Sequence, residues 1–333
     1  LKVFMRNQTE FKDYDFEGSG LSALLDVLAY NTHYLGFNAN MLANEMFLDS
    51  SQLRSSVVSH AKTLGYTSRS ATAAKATVDV FLNTSNPSAT MPAGTIFTAS
   101  VGDVSYQFVT TAAVTSILSG STIEFTDVVI YEGSYVSSRY TVDTQNVEQR
   151  FLINDDRADT TTLTVKVQNS LSDSTLTTYT LATDIAALTS TSNVYFLQEV
   201  EDGKYEIYFG DGILGTTLED SNILIMDYVV TNKGAANGAA IFVNAAAIDT
   251  VNSVNVRTVS PAAGGAEPES IESIKYNAPL DFASQGRCVT TEDYKTYVRQ
   301  LFANTQSVSV WGGEDGSFSN VTGASDIAEY GKI

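Results

Sequence analysis

Ala76-Thr77-Val78-Asp79-Val80-Phe81-Leu82 is where the period of the chain changes. Ala76, Val78, Val80 and Leu82 alternate with Thr77, Asp79 and Phe81, the two-residue period of a strand with one face turned to a core. From here to about residue 260 the chain is Thr, Val, Ile, Tyr and Ser, broken by turn residues at 83–87, Pro92-Ala93-Gly94, Gly102-Asp103 and Gly203. Ile123, Phe125, Val128 and Val129 mark a further strand, as do 162–167, 205–209 and 223–230. This spacing predicts a β-rich, sandwich-like region of many short strands, with 133–200 as a candidate inserted β domain.

Upstream the period is helical. Leu21, Leu24, Leu25, Leu28 and Leu35 follow the i, i+3, i+4, i+7 pattern of an apolar helix face, with Ser19 placed as N-cap. Phe37, Met41, Leu42 and Met46 form a second periodic stretch. A third starts at Asp49, with Gln52 three residues on as in a capping box. It carries Leu53, Val57, Ala61 and Leu64 on one face and predicts Gly65 as its C′ residue. A three-helix piece this small needs something else to pack on.

Downstream of the strands the pattern is mixed. Glu267-Pro268 opens a short helix with Ile271, Ile274 and Ala278 as apolar positions and Pro279 as its end. Thr290 caps a clearer helix, with Asp293 at N3, Val289 and Tyr294 placed as a hydrophobic staple, and Tyr294, Tyr297, Val298 and Leu301 on one face. Gln306 to Trp311 alternates like a strand. The fold class expected is multidomain α+β. It has a helical segment at 1–72, a β-rich region at 73–262, and a small α/β oligomerisation part at 263–333 that reads as incomplete.

Composition limits the function. The 333 residues suit two or three domains at roughly 100–200 residues each. The formal charge of −19 argues against a nucleic-acid binder that neutralises phosphates and against docking on an anionic membrane. Hydrophobic residues at 43% suffice for a core, while only 17% charged residues leave a bland surface or one buried against partners. Cys288 is the single cysteine, so no intrachain disulfide is expected, and His33 and His60 are the only histidines, so no structural zinc site is expected. No apolar run approaches the roughly 18 residues of a membrane span. The chain opens at Leu1 without Met and stops at Tyr330-Gly331-Lys332-Ile333, and so reads as a fragment or the ordered part of a longer chain.

A search for chemistry returns little. His33 beside Tyr30 and Tyr34, and His60 without a Cys, His or carboxylate at helical spacing, read as packed or surface histidines. Phe209-Gly210-Asp211-Gly212-Ile213-Leu214-Gly215 follows a strand and precedes another, so it reads as a turn rather than a phosphate loop, which needs a helix N-terminus. Asp155-Asp156 with Asp159 lacks calcium-loop spacing and reads as an exposed acidic turn. Glu199, Glu201 and Asp202 form a second acidic cluster. Trp311, the only tryptophan, is a candidate interface anchor. No catalytic, cofactor-binding or metal residue is assigned and no cofactor is expected. The profile is that of an assembly component rather than an enzyme.

Several segments in order resemble one family. They are Phe11 to Ser19 with the leucine helix ending Leu28-Ala29-Tyr30-Asn31-Thr32, Asn44 to Asp49, Ala61 to Ser70, and Met91-Pro92-Ala93-Gly94-Thr95-Ile96-Phe97. Then come Phe209 to Gly215 leading to Asp227 to Thr231 and Ala236-Asn237-Gly238, Glu269 to Ile274 with Ala278-Pro279, and Gly286 to Tyr294. Together they are similar to the baseplate wedge proteins of contractile-tailed, T-even-type bacteriophages, in the baseplate-J-like group. Residues 312–330 depart from the pattern as a longer, more polar loop.

The resemblance implies a structural subunit of the virion tail baseplate, assembled in the host bacterial cytoplasm. Two copies would join each wedge, six wedges would close around the hub, and the ring would widen to trigger sheath contraction. Implied partners are a second copy of the chain, a wedge subunit that shares a helical bundle with the N-terminal helices, and the sheath-initiating small wedge protein. No nucleic acid and no membrane are implied. The candidate interface residues are Leu21, Leu24, Leu25, Leu28, Leu53, Val57 and Leu64 in the helical segment, and Tyr294, Tyr297, Val298, Leu301 and Trp311 near the end. Competing readings are the baseplate of a related injection machine, a receptor- or carbohydrate-binding tail protein, and a glycosidase using Glu199 and Asp211.

Overall fold

The computed structural model describes residues 2–11, 20–146, 148–183, 187–244, 246–302, 305 and 307–312. The chain divides into two compact units, residues 1–60 and 61–333. The fold is α+β: short N-terminal helices, a β-rich middle of two sheets, and a helical C-terminal part.

The first unit holds α1 (Lys2–Arg6), a 3-10 turn (Thr9–Phe11) and the long α2 (Gly20–Glu45). Lys2 Nζ meets Asp26 of α2 at 2.9 Å. The two periodic stretches expected at 21–35 and 37–46 are thus one helix. Gly36 is the only weak helix former between them, and its cost of about 1 kcal/mol relative to Ala is not enough to break a helix of this length. The expected N-cap Ser19 lies outside the described residues.

The next helix, α3 (Arg54–Thr63), starts at Arg54 and not at Asp49. The reason is Glu45. Its carboxylate accepts from the amides of Gln52 at 2.8 Å and Leu53 at 3.3 Å, and so takes the Gln52 amide that a capping Asp49 would have used. Residues 46–51 form a tight turn closed by Ser51, whose amide and hydroxyl both donate to the Phe47 carbonyl. At the other end Gly65 is the C′ residue. Its amide donates to Lys62 O and that of Tyr66 to Ala61 O, both at 3.0 Å, the paired bonds of a Schellman motif.

The second unit contains an eight-stranded sheet, order β14-β3-β4-β6-β1-β15, with β2 joined to β5 and β5 to β6. Its strands are β1 (Lys75–Asn83), β2 (Ser88–Met91), β3 (Ile96–Val101), β4 (Val104–Thr110), β5 (Val114–Ser119), β6 (Thr122–Glu132), β14 (Val243–Asn244) and β15 (Val254–Ala263). Ala76, Val78, Val80 and Leu82 of β1 are all buried and pack with Phe97, Phe108, Phe125 and Ile130. The face expected to be wet is partly covered. Asp79 is buried, donated to by Arg257 and by the Asp127 amide, and the Arg257 guanidinium lies 5.6 Å over the Phe81 ring.

The seven-stranded sheet runs β7-β13-β9-β10-β11-β12-β8. Its strands are β7 (Ser134–Thr141), β8 (Phe151–Ile153), β9 (Ala158–Gln168), β10 (Leu176–Leu181), β11 (Val194–Glu199), β12 (Tyr205–Phe209) and β13 (Ile223–Val230). Only β10 and β11 are parallel. Strand β13 is apolar apart from Asp227, which pairs with Lys166, and is buried from Ile223 to Val229, as a strand covered on both faces must be. The chain enters this sheet at Gly133, whose φ is 125° and where a Cβ would lie 2.2 Å from the Val230 carbonyl oxygen. It leaves just after Val230, so both crossings share one corner. This sheet draws its strands from 134–230, a longer stretch than 133–200.

Helix α4 (Ile271–Ser284) begins one residue after Ser270, whose hydroxyl caps Ser273 N. It runs through Pro279 instead of ending there. The proline sits in the interior, where it removes one backbone donor from the ladder; the Ser270 cap and the buried Ile274 and Ala278 hold the helix through it. Helix α5 (Thr291–Leu301) has the expected capping box between Thr290 and Asp293, but Val289 stays exposed and closes no staple. Residues 307–312 form no strand, and Gln306 lies outside the described residues.

Candidate assembly surfaces

The connector from α3 to β1, residues 66–74, is tied to the seven-stranded sheet and towards α4 by buried carboxylates, and to the eight-stranded sheet by a backbone bond. The Tyr66 hydroxyl donates to Glu269 at 2.8 Å, and the Arg69 amide donates to the same carboxylate at 3.2 Å. Ser273 Oγ and Asn277 Nδ2 of α4 donate to Glu269 as well. Ser68 Oγ donates to Glu199 of β11, while Tyr205 Oη of β12 donates to Ser68 O at 3.0 Å. Ala73 N donates to Asp159 of β9 at 2.8 Å. Thr72 and Ala266 exchange a backbone pair, and Glu132 N donates to Ala74 O. At the sheet-crossing corner Glu132 accepts from Thr231 Oγ1, Asn232 N and Asn232 Nδ2 at 2.6–2.9 Å.

These acids are structural. Burial raises the pKa of Asp159, against the pull of the Ala73 and Thr161 donors that favour its charge. Burial, together with the Glu269 charge, likewise raises that of the Tyr66 phenol. Burial pushes Tyr135 up to about 12, aided by Asp227. In the opposite direction, the Arg150 fork at 2.6 and 2.8 Å holds Glu206 below the usual carboxylate range, and Arg257 does the same for Asp79.

The acidic positions considered for chemistry are dispersed. Asp159 is not part of an exposed turn: it is buried, because three donors from 73 and 161 converge on it. Asp155 accepts from Arg157 N and closes the local turn. Asp211 accepts from Ile213 N and Leu214 N, which holds its carboxyl low and makes the glycine-rich loop a turn between strands. Glu199 pairs with Tyr205 and Tyr195 with Phe209, so Glu199 and Asp211 stand at opposite ends of the β11–β12 hairpin. The four residue steps from Tyr205 to Phe209 alone span about 13 Å, beyond the ~5–9.5 Å of glycosidase acid pairs, and Asp211 lies past that end. His60 Nε2 lies 2.9 Å from Glu45 O, and His33 is exposed with its ring edge-on to Tyr34. Among the described residues no group of three His, Cys, Asp or Glu gathers to hold a metal, and no helix is long and apolar enough to cross a membrane.

The apolar surface is concentrated on α2. Leu24 is 62% exposed, Leu28 55%, Leu35 61% and Leu42 69%, with Val27, Tyr30, Tyr34, Phe37 and Met41 also open. The expected interface residues sort by exposure. Leu24, Leu28 and Leu53 are open, Leu21 and Leu64 half-buried, and Leu25 and Val57 already buried within the chain. Leu35 and Leu42 belong with them and were legible from their seven-residue spacing from Leu28. A second apolar surface lies on the C-terminal helices. Tyr276, Phe282, Leu301 and Phe302 are exposed, while Tyr294, Tyr297, Val298 and Trp311 are half-buried. On the seven-stranded sheet Phe196 and Tyr208 stack across strands at 5.1 Å, with Tyr208 44% exposed.

Comparison with known proteins fits these surfaces. Residues 1–66 match the model of the helical domain of baseplate wedge protein gp6-like proteins. Residues 138–245 match that of the third domain of bacteriophage baseplate wedge protein gp6. The chain is 30% identical over 334 aligned positions to baseplate wedge protein gp6 of Enterobacteria phage T4, covering 91% of this chain and 49% of that protein. It thus spans about half the length of the curated relative it matches. Two stretches of the chain are thus similar to domains of gp6-like baseplate wedge proteins.

Proposed function

We propose that the chain is a structural subunit of a phage tail baseplate wedge, without enzymatic activity, that links wedges into a ring around the hub and passes on the rearrangement that triggers sheath contraction. The observation that carries this is α2, a 26-residue helix with most of its large apolar side chains open to solvent, inside a segment that matches a wedge helical domain. A soluble chain rarely leaves such a surface uncovered. Its partners are a second copy, a wedge subunit that supplies further helices, and the sheath-initiating small wedge protein. The C-terminal helices supply a second contact, and the whole belongs to the baseplate-J-like group. The protein assembles in the bacterial cytoplasm and resides in the virion tail.

The test is to tag the chain in its native source, isolate assemblies gently and image them by electron microscopy. A six-fold plate at the end of a contractile tail, with the tag in the inner ring, is the expected result. Free monomers or trimeric spikes would overturn it. A capsid gene nearby separates a phage from a related injection machine. A carbohydrate-binding reading has the Phe196–Tyr208 pair on its side; a glycan array without hits on the purified chain disposes of it.

A further inference from the structure

A cavity of about 570 Å³ opens where the turn at 232–235, the segment 265–270 and the first turn of α4 meet the connector. Its wall is small and polar, with Gly234, Ala235, Gly265 and Ser270 and no aromatic side chain among the lining residues, which does not suit an apolar ligand. Two backbones cross closely there: a Cβ on Gly265 would lie 2.3 Å from Lys233 O. The charged lining groups are Arg69, Glu267 and Glu269. Both acids are committed. Glu267 pairs with Lys233 at 2.5 Å. Glu269 accepts from the Tyr66 hydroxyl, the Arg69 amide, Ser273 Oγ and Asn277 Nδ2.

The Arg69 guanidinium stands apart from this pairing. Among the described residues its one side-chain bond runs from Nη1 to Arg299 O at 3.4 Å, while Nε is buried without a hydrogen bond. Arg150, Arg157, Lys166, Lys233 and Arg257 of the same unit each meet a carboxylate at 2.5–3.5 Å. Arg150 and Arg257 do so although they are exposed, whereas Arg69 is half-buried. Both use the edge formed by Nε and Nη2. On Arg69 that same edge meets no carboxylate among the described residues, in a chain with 38 acids against 19 bases. A partly desolvated cation without a counter-charge is costly. Two further buried atoms without a hydrogen bond, Thr72 Oγ1 and Asn277 Oδ1, belong to the same junction.

We propose that the cavity receives a carboxylate from an acidic residue of a neighbouring polypeptide, held by the Nε–Nη2 edge of Arg69 as Glu206 is held by Arg150. A planar fork of this kind matches a carboxylate with two parallel bonds. The source of the carboxylate rests on the wedge reading above; the cavity and its guanidinium do not.

The probe is the capped tripeptide Gly-Glu-Gly, with Gly-Gln-Gly as its neutral match, added to the whole chain labelled with nitrogen-15 in arginine. The Arg69 Nε–H resonance, assigned by its loss in Arg69→Lys, should move saturably with the acidic peptide and stay in place with the neutral one. In Ala235→Leu, which narrows the mouth and leaves Arg69 intact, the movement should disappear. In tails, Arg69→Gln and Ala235→Leu should each enter baseplates roughly tenfold less than the parent at an unchanged urea midpoint, the loss expected for one charged hydrogen-bonded pair. If Arg69→Gln lowers the midpoint, Ala235→Leu alone carries this second arm. A resonance unmoved by the acidic peptide would overturn the site. Movement with undiminished entry of the variants into tails would overturn the polypeptide as the source. A parent chain absent from tails whose resonance still moves sinks the wedge reading and leaves the carboxylate chemistry of the cavity standing.

Discussion

At the scale of single residues, the chain spends its buried carboxylates on fastening rather than on chemistry. Asp159 holds Ala73 and Thr161, and removing it strands the buried Ala73 amide. Asp159→Ala should therefore lower stability by about 1–3 kcal/mol, read by urea unfolding. The pH dependence has two signs. Glu206 and Asp79 titrate below their unfolded values, so their contribution is present above pH ~4.5 and is lost as pH falls through the depressed values. Asp159 titrates above its unfolded value, so its contribution is present below pH ~4 and is lost as pH rises through the raised one. Glu206→Gln should make the acid limb of a stability-against-pH curve shallower. A limb unchanged from the parent would show that the Arg150 fork does not carry it.

At the scale of elements, two junctions decide the architecture. The first is Gly133, the step from one sheet into the other. Any side chain there meets the Val230 carbonyl in a backbone conformation that L residues avoid. Gly133→Val should cost about 2–4 kcal/mol, measurable as a lowered denaturation midpoint. The second is the turn between α2 and α3, where Glu45 displaces the expected Asp49 cap. The outward face of α2 behaves differently. Leu28→Lys with Leu35→Lys removes exposed apolar groups, so the isolated chain should change by less than about 0.5 kcal/mol while recovery in baseplates is lost. A large drop in its own melting temperature would show instead that this face is packed in solution.

At the scale of the whole molecule, stability is uneven by design of the sheets. Strand β13 is interior and buried, paired to β7 and β9 along its length, and β1 stands likewise between β6 and β15. Their amides should exchange slowest with deuterium, and those of the short outer strands β8 and β14 much faster. Equal protection across both sheets would contradict this picture. The connector 66–74 joins both sheets and α4 in one hydrogen-bonded junction.

What the sequence determined by itself was local and periodic. The alternation at 76–82, the Gly65 helix stop, the Thr290–Asp293 box and the turn at 209–215 each depend on neighbours within a few residues, and each appears as read. The leucine positions of the helical segment were legible for the same reason. Tertiary structure alone decided the rest. The merger of two periodic stretches into α2 and the passage of α4 through Pro279 depend on how a whole helix is supported, which no local signal encodes. The burial of Asp159 and the reach of Glu45 to residues 52 and 53 required partners brought together by the fold. The assignment of strands to two sheets is a matter of long-range pairing: β13 finds β7 and β9 across some sixty to ninety residues, and hydrophobic alternation specifies which face is inside but not which strand lies alongside.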